Sequence, residues 1–291
     1  MKPAGQPHLP SAGRSHPGLQ RPNNEDRWAL RAYQARAEDD SQPVLLAVLC
    51  DGVGGHLAGE VAAEMAVEHI CSTAELSDGL DPQRILQDAM LQASQNIVKQ
   101  SERTLHQTGM ACTCVCAWIA GNRLYTASVG DSRIYLLHGL RFRQISIDHT
   151  WVQEAVEQGL LRPEQARRHP NAHAIRRCLG SAAPPEIDFR LRLSRHESDQ
   201  QALGNQGLRL SAGDVVLLCS DGLSDLVENQ ELRAVLQAHP LEAALDELVH
   251  LALARGGHDN ITLIGISVPK STSSRQRRWN LPVFRHPSAD A

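Results

Sequence analysis

The spacing of apolar positions changes several times along the chain, and each change marks an element. Val44 to Cys50 is an apolar run of strand length, as expected of a buried strand, and Trp28 to Tyr33 reads as a strand before it. After Asp51 the glycines Gly52, Gly54 and Gly55 break the run, and Ala58 to Cys71 then carries Val61, Met65, Val67 and Ile70 at helical spacing. A second helix is expected where Asp81 can cap and Pro82 can occupy the first turn, with Ile85, Leu86, Met90, Ala93 and Ile97 along one side.

From Ala111 the period falls to two. Cys112 to Ile119, Arg123 to Val129, Ser132 to His138 and Leu140 to Gln144 read as an antiparallel meander joined by glycine-containing turns. Helical pieces at Thr150 to Gln158 and from Pro163 interrupt it beside a basic cluster of Arg167, Arg168, Arg176 and Arg177, so residues 148–180 are expected to form a flap inserted between strands. Strand patterns return at Ile187 to Leu193 and Asp214 to Ser220, helices follow at Asn229 to Gln237 and Leu241 to Arg255, and Ile261 to Val268 is the last strand. Strands and helices are grouped rather than alternating singly, which favours an α+β fold of antiparallel sheets with helices outside over a doubly wound parallel sheet. Residues 1–17, rich in Pro, Gly, Ser and His, are expected to be a flexible lead-in, and residues 269–291 a basic, flexible tail, leaving 18–268 as one domain.

Composition narrows the function classes. A net charge of −4, from 29 basic and 33 acidic residues, argues against a protein that coats nucleic acid. The seven cysteines are odd in number, several lie inside apolar runs, and no apolar stretch follows Met1, so a reducing cytoplasmic setting is expected. Cys112, Cys114 and Cys116 alternate onto one sheet face and read as small buried hydrophobes rather than zinc ligands. No run approaches the roughly 18 apolar residues of a membrane-spanning helix.

The candidate chemistry lies at strand ends. Asp51 closes the 44–50 run, Asp221 follows V-V-L-L-C-S, and Asp259 precedes I-T-L-I-G-I. Adjacent strands could bring these ends together. Three carboxylates in one place repel one another unless a cation offsets them, and oxygen ligands suit a hard ion such as Mg²⁺ or Mn²⁺. Gly52 could add its carbonyl oxygen, while Asp131, at a hairpin corner in V-G-D-S-R, and Asp225 could extend the site.

In order, R-x-x-N-E-D, D-G-x-G-G-H, G-D-S-R, S-D-G-L-S-D and G-x-D-N resemble the bacterial branch of the metal-dependent type 2C serine/threonine protein phosphatases, over roughly Gly18 to Val268. The resemblance implies a four-layer α-β-β-α sandwich of two antiparallel sheets flanked by antiparallel helix pairs. It also implies hydrolysis of phosphoserine and phosphothreonine in proteins by a metal-activated water at a binuclear Mn²⁺/Mg²⁺ site. Asp51, Asp221 and Asp259 match the family's direct ligands, with the Gly52 carbonyl on one ion. Glu25 matches an acid that holds water at the metals, Asp26 is its neighbour in the same motif, and Arg21 matches the phosphate clamp. Asp131, Asp221 and Asp225 match the positions of a more weakly held third ion. His56 is a nearby titratable candidate for the leaving group's proton, the alternative donor being metal-bound water; Val53 stands where animal relatives carry a histidine, whose role does not simply move to His56. Ala111-Cys112-Thr113 replaces the family's usual G-T-T.

Implied partners are phosphorylated proteins, as substrates of a bacterial Ser/Thr kinase, and the kinase itself; a monomer is expected. The rival readings are a non-catalytic phosphoprotein-binding module of the same fold and a phosphatase acting on a small phosphorylated molecule.

Overall fold

Alternation along residues 44–50 divides one apolar run between two cores. The computed structural model describes residues 1–35, 41–53, 58–166 and 169–270. In chain order, strands β1 (Lys2–Pro3), β2 (Ser11–His16), β3 (Arg27–Ala35), β4 (Gln42–Cys50) and β5 (Gly52–Val53) precede helices α1 (Gly59–Leu76) and α2 (Pro82–Arg103). Next come β6 (Ala111–Cys112), β7 (Cys114–Ala120), β8 (Arg123–Val129), β9 (Arg133–His138) and β10 (Arg141–Gln144), then α3 (Trp151–Glu157), α4 (Pro163–Ala166) and α5 (Asp199–Gly204). The chain continues through β11 (Leu208–Arg209), β12 (Val215–Cys219), α6 (Asp221–Ser224), α7 (Asn229–Ala238), α8 (Leu241–Ala254) and β13 (Ile261–Ser267).

Two antiparallel sheets form the centre: six strands in the order β1-β3-β4-β7-β8-β11 and five in the order β10-β9-β12-β13-β2. Leu45, Ala47 and Leu49 of β4 share the core between the sheets with Val115, Ile134, Leu136, Leu218 and Ile264. Val44, Leu46, Val48 and Cys50 face the other way, into a core with Ala62, Ala66 and Ile70 of α1 and Leu86, Met90 and Ile97 of α2. On the far side of the second sheet, Leu217, Cys219 and Leu263 pack with Leu232 and Leu236 of α7 and Leu245 and Leu248 of α8. This is the four-layer α-β-β-α sandwich. Strands covered on both faces need apolar side chains at every position, and each fully buried Val, Leu or Ile contributes about 1.5–3 kcal/mol. Asp81 caps α2 as expected, accepting from Arg84 N at 3.2 Å.

Three expectations are corrected. The lead-in expected over residues 1–17 contains β2, which pairs with β13 from Ser11 to His16. Its small residues suit that edge: a Cβ on Gly13 would lie 2.5 Å from the Trp28 ring. The single meander expected over residues 112–144 is split, because β8 belongs to the first sheet and β9 to the second. Gly130, at φ 103°, makes the crossing. Finally, Ile187 to Leu193 is not a strand and pairs only as one bridge between Asp188 and Ser128. The Gln206 side chain takes the place of a partner strand there. It accepts from Thr126 N at 2.9 Å and donates to Thr126 O and Phe189 O at 2.9 and 2.6 Å. The alternation of Ile187, Phe189, Leu191 and Leu193 still has a packing cause, since Ile187 and Phe189 pack on the helix-side core and Leu191 and Leu193 on the inter-sheet core.

Candidate metal centre

The strand ends meet where the two sheets face one another. Asp221 follows β12 and Asp259 lies just before β13, its antiparallel neighbour, so both fall at the same end of the second sheet. Asp51 comes from β4 of the first sheet, so the three carboxylates converge from facing sheets rather than from one row of adjacent strands. Arg21, Glu25, Asp51, Gly52, Asp221, Asp225 and Asp259 line one pocket. Asp131 lines a neighbouring pocket that shares Asp221 and Asp225.

Buried polar side chains fix these positions. Asn260 ties the Arg21–Asp26 loop to the start of β13: its Nδ2 donates to Pro17 O and Asn23 O, both at 2.9 Å, and its Oδ1 accepts from Glu25 N at 2.7 Å. The Ser220 hydroxyl donates to Asp26 Oδ2 at 2.9 Å. Thr113 joins the two sheets. Its N donates to Asp51 O at 2.8 Å, its Oγ1 accepts from Asp51 N at 3.2 Å, and the same hydroxyl lies 2.8 Å from Ser132 Oγ, next to Asp131. Thr113, the last residue of Ala111-Cys112-Thr113, thus ties the Asp51 turn to the corner that carries Asp131. Arg133, also in the G-D-S-R motif, is held by Asp148 at 2.6 Å.

The electrostatics show what the arrangement lacks within the chain itself. Burial first, and then the charges of Asp26, Asp221, Asp131 and Asp259, raise Asp51 well above the usual carboxylate range. Burial together with Asp225 and Asp259 raises Asp221 to about 6. Burial and Asp221 raise Asp131 to about 8. Asp26 rises to about 7 through burial, against the hydrogen bonds from Thr262 and Ser220 that favour its charged form. Asp26 Oδ1, Asp131 Oδ1 and Asp221 Oδ1 are buried without a hydrogen-bond partner. Partnerless oxygens on mutually repelling carboxylates are the donor set that divalent cations satisfy, and the set fits hard ions such as Mn²⁺ or Mg²⁺. Arg21 stands on the rim, 46% exposed, with Nη2 2.6 Å from Asp259 Oδ2.

Gly52 and Gly59 are explained by packing. A Cβ on Gly52 would lie 2.5 Å from the Gly59 carbonyl carbon, and one on Gly59 would collide with Glu25 Oε2. The bare backbone lets the start of α1 press against both the Asp51 turn and Glu25. The candidate acid His56, with Gly54 and Gly55, lies outside the described residues. Sequence reasoning passed over His173, His258, Asn260, Ser220 and Thr113. His173 and His258 line the pocket with Arg21 and Asp51, and only Asn260, Ser220 and Thr113 carried a signal, as polar residues inside motifs beside the candidate ligands.

Residues 12–256 match the family described as Protein phosphatase 2C. The serine/threonine protein phosphatase PstP of Mycobacterium tuberculosis (strain CDC 1551 / Oshkosh) is 35% identical over 254 residues, which cover 87% of this chain and 44% of that protein. The chain thus spans less than half of that relative's length. The serine/threonine phosphatase stp of Listeria monocytogenes serotype 4b (strain F2365) is 32% identical over 256 residues, 86% of this chain and 92% of the relative. Among solved structures, the catalytic domain of PstP in complex with two manganese ions superposes with a TM-score of 0.70 at 33% identity, covering 90% of this chain and 99% of that one.

Proposed function

The chain belongs to the protein phosphatase 2C family, and from that premise we propose that it hydrolyses phosphoserine and phosphothreonine in proteins with the help of two Mn²⁺ or Mg²⁺ ions. The observation that carries this is the convergence of Asp51, Asp221 and Asp259 from two facing sheets, with Arg21 on the rim of the same pocket. The manganese pair bound by the structurally similar PstP catalytic domain supports the choice of ion.

Asp51, Asp221, Asp259 and the Gly52 carbonyl would hold the ions. When bound, they would supply Lewis-acid charge and a water deprotonated near neutral pH. The rest is positioning by this chain. Arg21 presents a planar fork that can donate two hydrogen bonds to a phosphoryl group, and Asp259 already aims it at the pocket. Glu25 is held by Asn260 through its backbone. Burial, Glu60 and Asp259 raise its carboxyl above the usual range, which suits a group that orients water and accepts its proton. A binding module would have no need to keep these repelling carboxylates together.

The substrates on this reading are targets of a bacterial Ser/Thr kinase and the kinase itself, and the enzyme acts as a cytoplasmic monomer. No described helix is long and apolar enough to cross a membrane, and all seven cysteines are free, in keeping with a reducing compartment. Phosphate release from a phosphothreonine peptide is expected with Mn²⁺, and to be abolished by EDTA. Asp221→Asn should lower it by about a hundredfold or more, the scale of several kcal/mol of lost charge stabilisation. Activity that survives EDTA or the substitution would falsify the two-metal reading.

A further inference from the structure

His173 belongs to the inserted segment, far along the chain from the strand ends, and its side chain is 64% exposed. It is nonetheless directed at the acidic pocket. Its Nδ1 lies 3.3 Å from Asp225 Oδ2, and one ligand atom each from His173, Asp221 and Asp225 fall within 4.8 Å of one another. No other such group of His, Cys, Asp or Glu occurs among the described residues. Asp131 lines the same pocket. It is 5% exposed, and its Oδ1 has no hydrogen-bond partner.

Resting on the metal-dependent reading above, we propose that His173 supplies a nitrogen ligand to a cation shared with Asp221 and Asp225. That ligand shifts the position's preference from Mg²⁺ toward a first-row transition ion. Octahedral ligands about 2.1 Å from an ion stand about 3 Å apart in cis and about 4.2 Å apart in trans. The His173–Asp225 approach is close to a cis pair, and the spread of the three atoms closes to that of one coordination sphere with a small adjustment. An ion pair alone accounts for His173 and Asp225 but leaves the buried Asp221 Oδ1 without a partner, whereas a cation among the three side chains would give Asp221 one as well.

The histidine is also held in place from behind. Ala174 O accepts from Trp151 N at 2.9 Å, and Ile175 bridges to Thr150, so the backbone after His173 is locked to the base of the inserted segment. Imidazole nitrogen suits transition ions, whereas Mg²⁺ favours oxygen and retains water. Because Asp221 lines both pockets, an ion on His173 would tie the inserted segment to the carboxylates of the central pocket.

The test is pulsed electron paramagnetic resonance of Mn²⁺ titrated into the full chain, alongside equilibrium Mn²⁺ and Mg²⁺ binding and phosphate release from a phosphothreonine peptide. ¹⁴N modulation is expected on the more weakly bound Mn²⁺. It should persist in His258→Ala, which removes the other pocket histidine, and vanish in His173→Ala. The same variant should bind that ion about tenfold or more weakly and lose a similar factor in discrimination against Mg²⁺, with tighter sites unchanged. An oxygen-only spectrum, or ¹⁴N modulation that survives His173→Ala, overturns the proposal. If Mn²⁺-dependent phosphate release accompanies that result, the proposed function stands and the nitrogen ligand alone falls. If no Mn²⁺ binds and no phosphate is released, both fall.

Discussion

Asn260 shows how one side chain sets the geometry of others. It is 4% exposed and joins Pro17, Asn23 and Glu25 to the start of β13, so the loop bearing Arg21 and Glu25 is registered against Asp259. Asn260→Ala would orphan a backbone donor and two carbonyls. A loss of about 1–3 kcal/mol is expected, read as a lower urea midpoint, together with reduced phosphate release that extra Mn²⁺ does not restore; an unchanged midpoint would refute the knotting role. At this scale the charged residues were legible before the fold, because Asp51, Asp221 and Asp259 each interrupt an apolar run. Asn260, Ser220 and Thr113 were marked only by their place inside motifs, and their tying roles were not legible, since an asparagine or hydroxyl that satisfies backbone looks the same in sequence as one that faces water. His173 lay beyond reach for another reason: its partners Asp221 and Asp225 are distant in the chain, and no period links them.

At the scale of elements, strands and helices buried on a regular face were legible, and those held by side chains were not. The α2 start, with Asp81 and Pro82, and the β4 run are read directly from periodicity and capping. β2 was hidden because S-A-G-R-S-H has little apolar content and relies on pairing with β13. The Ile187 to Leu193 pattern misled because Gln206 fulfils the hydrogen bonding that a partner strand would. In the segment expected as a flap, Arg176 pairs with Glu154 at 3.3 Å and Arg177 with Glu186 at 3.0 Å, while Arg167 and Arg168 lie outside the described residues. Exposed pairs of this kind contribute little, at most about 1 kcal/mol each. Replacing all four arginines by alanine should therefore leave the melting temperature nearly unchanged while lowering activity on a phosphoprotein much more than on a small aryl phosphate. Equal losses on the two substrates would remove substrate selection from the flap.

For the whole molecule, the carboxylates trade stability for a cation site. Asp221, Asp26 and Asp131 are raised to about 6, 7 and 8, against about 3.9 in an unfolded chain. Between these values the folded chain binds more protons than the unfolded one, so stability is fullest below about pH 4 for these groups and is lost as pH rises toward 8. In EDTA the melting temperature should fall from pH 5 to pH 8, and Mn²⁺ should raise it more at pH 8 than at pH 5; a flat profile in EDTA would contradict the crowding. The order of the second sheet has a further consequence. β13 lies between β12 and β2, so the earliest-made strand of that sheet waits for the latest. Until residues 261–267 have left the ribosome, Asp259 has no strand to anchor it, and Asn260 cannot gather the Arg21 loop. The Arg21 loop and Asp259 therefore stand or fall together with the domain's last strand, and the pocket takes shape only after that strand has been made.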